Sequence, residues 1–191
     1  MKRLFFGLFV LASMGSQAQT GQYHLVVWPP PLKLEQRGAD LLACLPSDAK
    51  PMPLRAAAVS QINGGWPPEE WAVVRSPKAR PVTLKAGDCI QYNQPLKGYA
   101  QVGGGQPLQP GETYGFLLQR VGDTGNSPTG RFIGVFCVEQ LPGGERNFLP
   151  YIEHDDGTTT YPRCGTYIGS PPAADGINPP GRPSADPSAE H

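Results

Sequence analysis

Residues 112–121 (ETYGFLLQRV) and 131–140 (RFIGVFCVEQ) decide the fold. Aromatic and β-branched side chains crowd both runs, as suits a pleated and partly buried surface. Residues 122–130 (GDTGNSPTG) lie between them and consist almost entirely of turn-forming types. Two such runs in succession, joined by a polar loop, pair as antiparallel strands. Alternate residues of this hairpin, such as Leu117, Phe132, Val135 and Phe136, are expected to face a core.

Working outward, the same pattern recurs in shorter pieces. Residues 23–28 (YHLVVW) read as a strand halted by Pro29, Pro30 and Pro31, which lack ladder amides. Residues 39–45 (ADLLACL), 54–61 (LRAAAVSQ), 70–75 (EWAVVR), 82–84 (VTL), 89–92 (CIQY) and 98–102 (GYAQV) read as further strands, although the alanines of 54–61 also suit a short helix. Residues 147–152 (NFLPYI) follow the long hairpin, and 164–168 (CGTYI) form a last candidate. With 24 glycines and 23 prolines in 191 residues, long helices have little room. The expected fold is all-β, an antiparallel β-sandwich of immunoglobulin-like type, with a small closed barrel as the alternative.

The N-terminus supplies an address. Lys2 and Arg3 precede an apolar run over 4–14, and Ser16 and Ala18 offer small residues before a cut ahead of Gln19. This is the layout of a secretory signal peptide over 1–18, too short to remain as a spanning helix. No cysteine follows the apolar run, so a lipid anchor is not expected and the mature chain is read as soluble in the periplasm or secreted. Residues 19–169 form the expected sandwich domain. Residues 170–191 hold proline and few apolar side chains, and are expected to be a disordered tail. The 16 basic and 16 acidic residues become 14 and 16 once Lys2 and Arg3 are removed, which gives no nucleic-acid footprint. In an exported chain Cys44, Cys89, Cys137 and Cys164 are expected to form two disulfides, for which three pairings are open. No CxxC spacing suggests a metal or redox site instead.

Catalytic motifs are missing: there is no GxSxG, SxxK or HExxH. Gly103, Gly104 and Gly105 lack the lysine and hydroxyl of a phosphate-binding loop and read as a flexible inter-strand loop. His24 sits in an apolar run and His191 at the chain end. His154, flanked by Glu153, Asp155 and Asp156, could bind a cation or supply acid–base groups, though aspartate and glycine also make ordinary turns. No catalytic residue, metal ligand or cofactor is assigned. Contact surfaces fit better. Residues 65–71 (GWPPEEW) place Trp66 beside a rigid acidic turn with Glu69 and Glu70, and tryptophan is a favoured interface anchor. Trp71 opens a strand and is expected in the core. The candidate protein-binding residues are Trp66, Glu69, Glu70, His154, Asp155 and Asp156.

The arrangement also resembles a known family. An apolar strand with Cys44, a later Lys85-Ala86-Gly87-Asp88-Cys89-Ile90 segment, Gly111-Glu112-Thr113-Tyr114 and the strand over 132–138 are similar to small bacterial periplasmic proteins described as type VI secretion immunity proteins, many of them lipoproteins. The likeness covers roughly residues 39–141. It implies a sandwich in which Cys44 pairs with Cys89, leaving Cys137 for Cys164. On a chain-entropy account, loops of those lengths stabilise by roughly 3.5–4 kcal/mol each before strain. The lipid cysteine of the family is missing, and Cys137, Cys164 and the tail have no counterpart in it. The resemblance implies protection against a secreted, envelope-targeting effector by protein–protein contact. The expected function is therefore a soluble periplasmic binding protein of this immunity type, not an enzyme, with a protein partner and neither nucleic acid nor membrane anchor. Two other readings stand beside it: a metal-dependent or carboxylate-based hydrolase centred on His154, Asp155 and Asp156, and a structural accessory of an envelope assembly.

Overall fold

The structure, a computed structural model, describes residues 30–62, 67–123, 130–154, 159–165 and 177–178. These contain no α-helix, and their strands build two facing sheets. The smaller sheet holds β1 (Lys33–Arg37), β2 (Asp40–Cys44) and β6 (Cys89–Gln91), in the order β1-β2-β6. The larger holds β3 (Met52–Gln61), β4 (Trp71–Arg75), β7 (Tyr99–Val102), β8 (Thr113–Arg120), β9 (Arg131–Gln140) and β10 (Arg146–Pro150). Its order is β10-β9-β8-β3-β4-β7, with β5 (Thr83–Leu84) paired to the start of β3. A peripheral ladder joins β11 (Ile152–Glu153), β12 (Thr159–Thr160) and β13 (Ile177–Asn178).

Every strand pairing in these ladders is antiparallel. A sheet of three strands packs against one of seven, more strands than an immunoglobulin constant domain has; β7 and β10 lie at the edges of the larger sheet, and Gln36 of β1 bonds the Phe148 amide and the Arg146 carbonyl of β10. Tyr114, at the start of β8, accepts a hydrogen bond on its phenol oxygen from the Gln109 amide at 2.7 Å. That bond back to upstream backbone is the tyrosine corner of such sandwiches. The sandwich expected from the long hairpin is the fold observed.

Strand register decides which side chains meet. Tyr114 lies opposite Phe136, Phe116 opposite Gly134, and Leu118 opposite Phe132, so the even-numbered positions of β8 and β9 share the inner face. Phe132 and Phe136 are in the core as expected. Leu117 and Val135 are not: pairing puts them on the outer face with Ile133, where they are half-buried. The apolar character of both faces hid this parity in the sequence. Trp71 is 1% exposed and meets Phe116 and Tyr92 edge-on, with centroids 5.9 and 5.8 Å apart. From the small sheet, Leu41, Ala43 and Ile90 complete the core. Gly134 lets the two sheets approach, since a Cβ there would lie 2.8 Å from the Leu34 side chain.

The alanine-rich run 54–61 is strand throughout. A register shift between Leu54 and Ala56 keeps both Leu54 and Ala57 in the core. β1 went unread because only Leu34 of its five residues is apolar. Its hairpin to β2 turns through Gly38, at φ +61°, and Ala39, the glycine-first arrangement that tight hairpins favour. Pro30 to Leu32 cover the free half of β9: the Leu32 amide donates to Ile133 O at 3.0 Å, and the Ile133 amide to Pro30 O at 3.3 Å. Cys164 and Gly165 form a bend rather than the strand expected over 164–168, because Cys164 is tied across the sheet face instead of to a neighbouring strand; 166–168 lie outside the described residues. The expected signal peptide, the strand over 23–28 and most of the expected tail also lie outside them.

The disulfides are Cys44–Cys89 and Cys137–Cys164. Cys44 and Cys89 stand opposite one another in the β2–β6 ladder, so this bond links neighbours within one sheet rather than the two layers. Cys137, on the outer face of β9, reaches the segment that follows β12.

Candidate functional site

The acidic turn before β4 is held by Gly103 and Gly104, which are not the flexible loop expected of them because their backbone packs against that of Pro68 and Glu69. Gly103, at φ +92°, passes so close to Pro68 that a Cβ would overlap the Pro68 carbonyl oxygen. A Cβ on Gly104 would stand 3.1 Å from Glu69 O, and the Gln106 amide donates to that same carbonyl at 3.0 Å. Glycine is required because two backbones lie in contact. The result fixes Glu69 and Glu70 at the mouth of a hollow of about 310 Å³, lined by Gln61, Glu69, Glu70, Gln106, Pro107, Gln109, Glu112 and Tyr114.

Three carboxylates and three amides make this hollow polar. Gln61 Nε2 donates to Glu112 Oε2 at 2.6 Å, so one carboxylate is oriented by its neighbour across β3 and β8. Tyr92 Oη donates to Gln106 O at 3.1 Å. Burial, reinforced by the Glu70 carboxylate and then by Tyr114, pushes the Tyr92 phenol up to about 12. Tyr114 is also raised, first by burial, against the opposing Gln109 hydrogen bond, with Glu70 and Glu112 adding to the rise. Both phenols therefore stay neutral hydrogen-bonding groups at physiological pH. A wall of carboxylates over neutral polar groups attracts a cationic side chain and can donate or accept hydrogen bonds around it.

A second depression, of about 600 Å³, lies on the outer face of the large sheet. Ala56, Val74, Val102 and Leu117 line it together with Pro67, Arg55, Gln119 and Arg131. The arginines are ordered by Asp123, whose side chain is fully buried: Arg131 Nε and Nη2 donate to its Oδ2 at 3.3 and 3.2 Å, and Arg55 Nη1 donates to its backbone oxygen at 3.2 Å. Pro67 belongs to the turn that carries Glu69 and Glu70, so this turn borders both hollows.

Of the residues singled out from sequence, Glu69 and Glu70 come together in the polar hollow. Trp66, Asp155 and Asp156 lie outside the described residues. His154 is exposed, with Nε2 2.7 Å from Thr160 Oγ1 in the β11–β12 pair, and does not line either hollow. Among the described residues, no group of three or more His, Cys, Asp or Glu is placed to hold a metal ion. Sequence reading missed Glu112, Gln61, Gln106, Gln109 and Tyr114. The useful signal was Leu108-Gln109-Pro110-Gly111-Glu112-Thr113-Tyr114, whose turn and aromatic residue fold back as the tyrosine corner. Compared with known proteins, the chain matches no family model, no curated protein and no solved structure.

Proposed function

We propose that this chain is an exported binding protein that works by protein–protein contact, as an immunity protein neutralising a secreted effector in the periplasm. The observation that carries the reading is the rigid presentation of Glu69 and Glu70 beside Glu112 at the mouth of a polar hollow, which suits a lysine or arginine of a partner. Two disulfides are compatible with export, and the leader-like residues 1–18 supply the route. The resemblance over residues 39–141 points to the same task.

The test pairs the protein with the effector-like gene product encoded beside it. Purified partners should bind in a salt-sensitive manner, and the exported chain should protect cells that receive the effector in the periplasm. Glu69→Lys with Glu70→Lys should weaken binding by at least about tenfold, chiefly through slower association. Unchanged affinity and protection in that double variant would move the contact elsewhere. No binding by the wild type would end the proposal.

A further inference from the structure

The two disulfides hold different things. Cys44 and Cys89 are already opposite each other in a backbone ladder, whereas Cys137–Cys164 tethers a segment outside the hydrophobic core. After β12 the chain lies as a strap, residues 161–165, over the outer face of β8 and β9. The Tyr161 ring meets Tyr151 edge-on at 5.4 Å, and Arg163 forks onto Glu139, with Nε 2.6 Å from Oε1 and Nη2 2.7 Å from Oε2. That ion pair is exposed on the arginine side, and such pairs contribute little to stability. Gly165, at φ +83°, packs so tightly that a Cβ would overlap Thr113 Oγ1 and come within 2.6 Å of the Cys137 Cβ. Cys137 is fully buried and Thr113 is 1% exposed, although both point away from the core; the strap lies directly against them.

We propose that the Cys137–Cys164 disulfide is a redox clasp: its reduction by a dithiol unlatches the strap and bares the outer face around Thr113, Cys137 and Leu149, while the sandwich stays folded. The reductant's thiolate attacks the sulfur of half-buried Cys164, because Cys137 is shielded. The Cys137 thiolate leaves and takes up a proton. The reductant's second thiol then resolves the mixed disulfide, releasing Cys164 as a thiol and leaving the reductant oxidised. The uncovered patch continues the half-buried outer surface of Val135, Ile133 and Leu117.

The test uses the full mature chain with Cys164→Ser, in which Cys137 is a lone thiol. Iodoacetamide should modify Cys137 within about a hundredfold of its rate in the urea-unfolded chain, and hydrogen exchange over 161–165 should speed up. The near-ultraviolet signal of buried Trp71 should be retained. Cys164→Ser can fail during export for other reasons, so the same readings are taken on the folded Cys44→Ser, Cys89→Ser chain treated with dithiothreitol, where Cys137–Cys164 is the one disulfide left to reduce, and these decide. A reduced chain in which Cys137 reacts more than about a hundredfold slower than in the unfolded chain would overturn the proposal, because the strap then stays seated without its bond. Loss of the Trp71 signal on reducing this bond alone would also overturn it, because the bond would then hold the sandwich itself.

Discussion

Tyr92 gives the protein a pH signature at its alkaline end. The folded state raises this phenol from an ordinary value near 10 to about 12, mainly by burial. A raised value means the folded chain holds the proton more tightly, so stability is intact below about 10 and declines as pH rises towards 12. Urea midpoints should fall as pH rises from about 10 towards 12, and Tyr92→Phe should flatten that fall. The variant also loses the bond to Gln106 O, which should lower stability at neutral pH by about 0.5–1.5 kcal/mol. Asp123 is the other decisive single residue. Its buried carboxylate accepts from Gln119 and Arg131. Asp123→Asn should cost about 1–3 kcal/mol in chemical denaturation, because a charge-assisted set of hydrogen bonds becomes neutral and partly mismatched.

Among elements, the crossing of the Gly103 segment over the Pro67–Pro68 turn matters most for the site. The Pro68 carbonyl occupies the space that a side chain on Gly103 would need. Gly103→Ala meets both a positive φ and an occupied carbonyl position, so it should destabilise by about 1–3 kcal/mol and displace Glu69 and Glu70. Thermal denaturation should register the first effect, and weakened partner binding the second. The β8–β9 hairpin was legible because its two runs are long, rich in aromatic and β-branched residues, and separated by turn formers. Its inner face was not legible, because Leu117, Ile133 and Val135 are as apolar as the residues beneath them. Period-two reasoning needs a polar face for contrast, and β8 and β9 offer little. β1 failed in the opposite sense, being too polar to announce itself.

For the whole molecule, the Cys44–Cys89 bond closes the small sheet against β6 after the chain has crossed to the large sheet and back. Removing it by Cys44→Ser with Cys89→Ser should lower the unfolding free energy by about 2–4 kcal/mol, checked by guanidinium titration, with an unchanged far-ultraviolet spectrum. The acidic hollow is assembled at the same scale, since Glu69 and Glu70 precede β4 while Gln106, Gln109 and Glu112 arrive some forty residues later. No local spacing could announce such a set. Glu69 and Glu70 stood out because prolines stiffen their turn; Glu112 had no such marker. By itself the sequence determined the fold class: its dense glycine and proline leave little room for long helices, and the long hairpin fixes the antiparallel sense of the strands. Tertiary structure alone decided which apolar face turns inward, how the glycine run grips the acidic turn, and where Cys137 is covered. Those outcomes depend on the register between strands distant in sequence, and on backbone contacts that no single segment encodes.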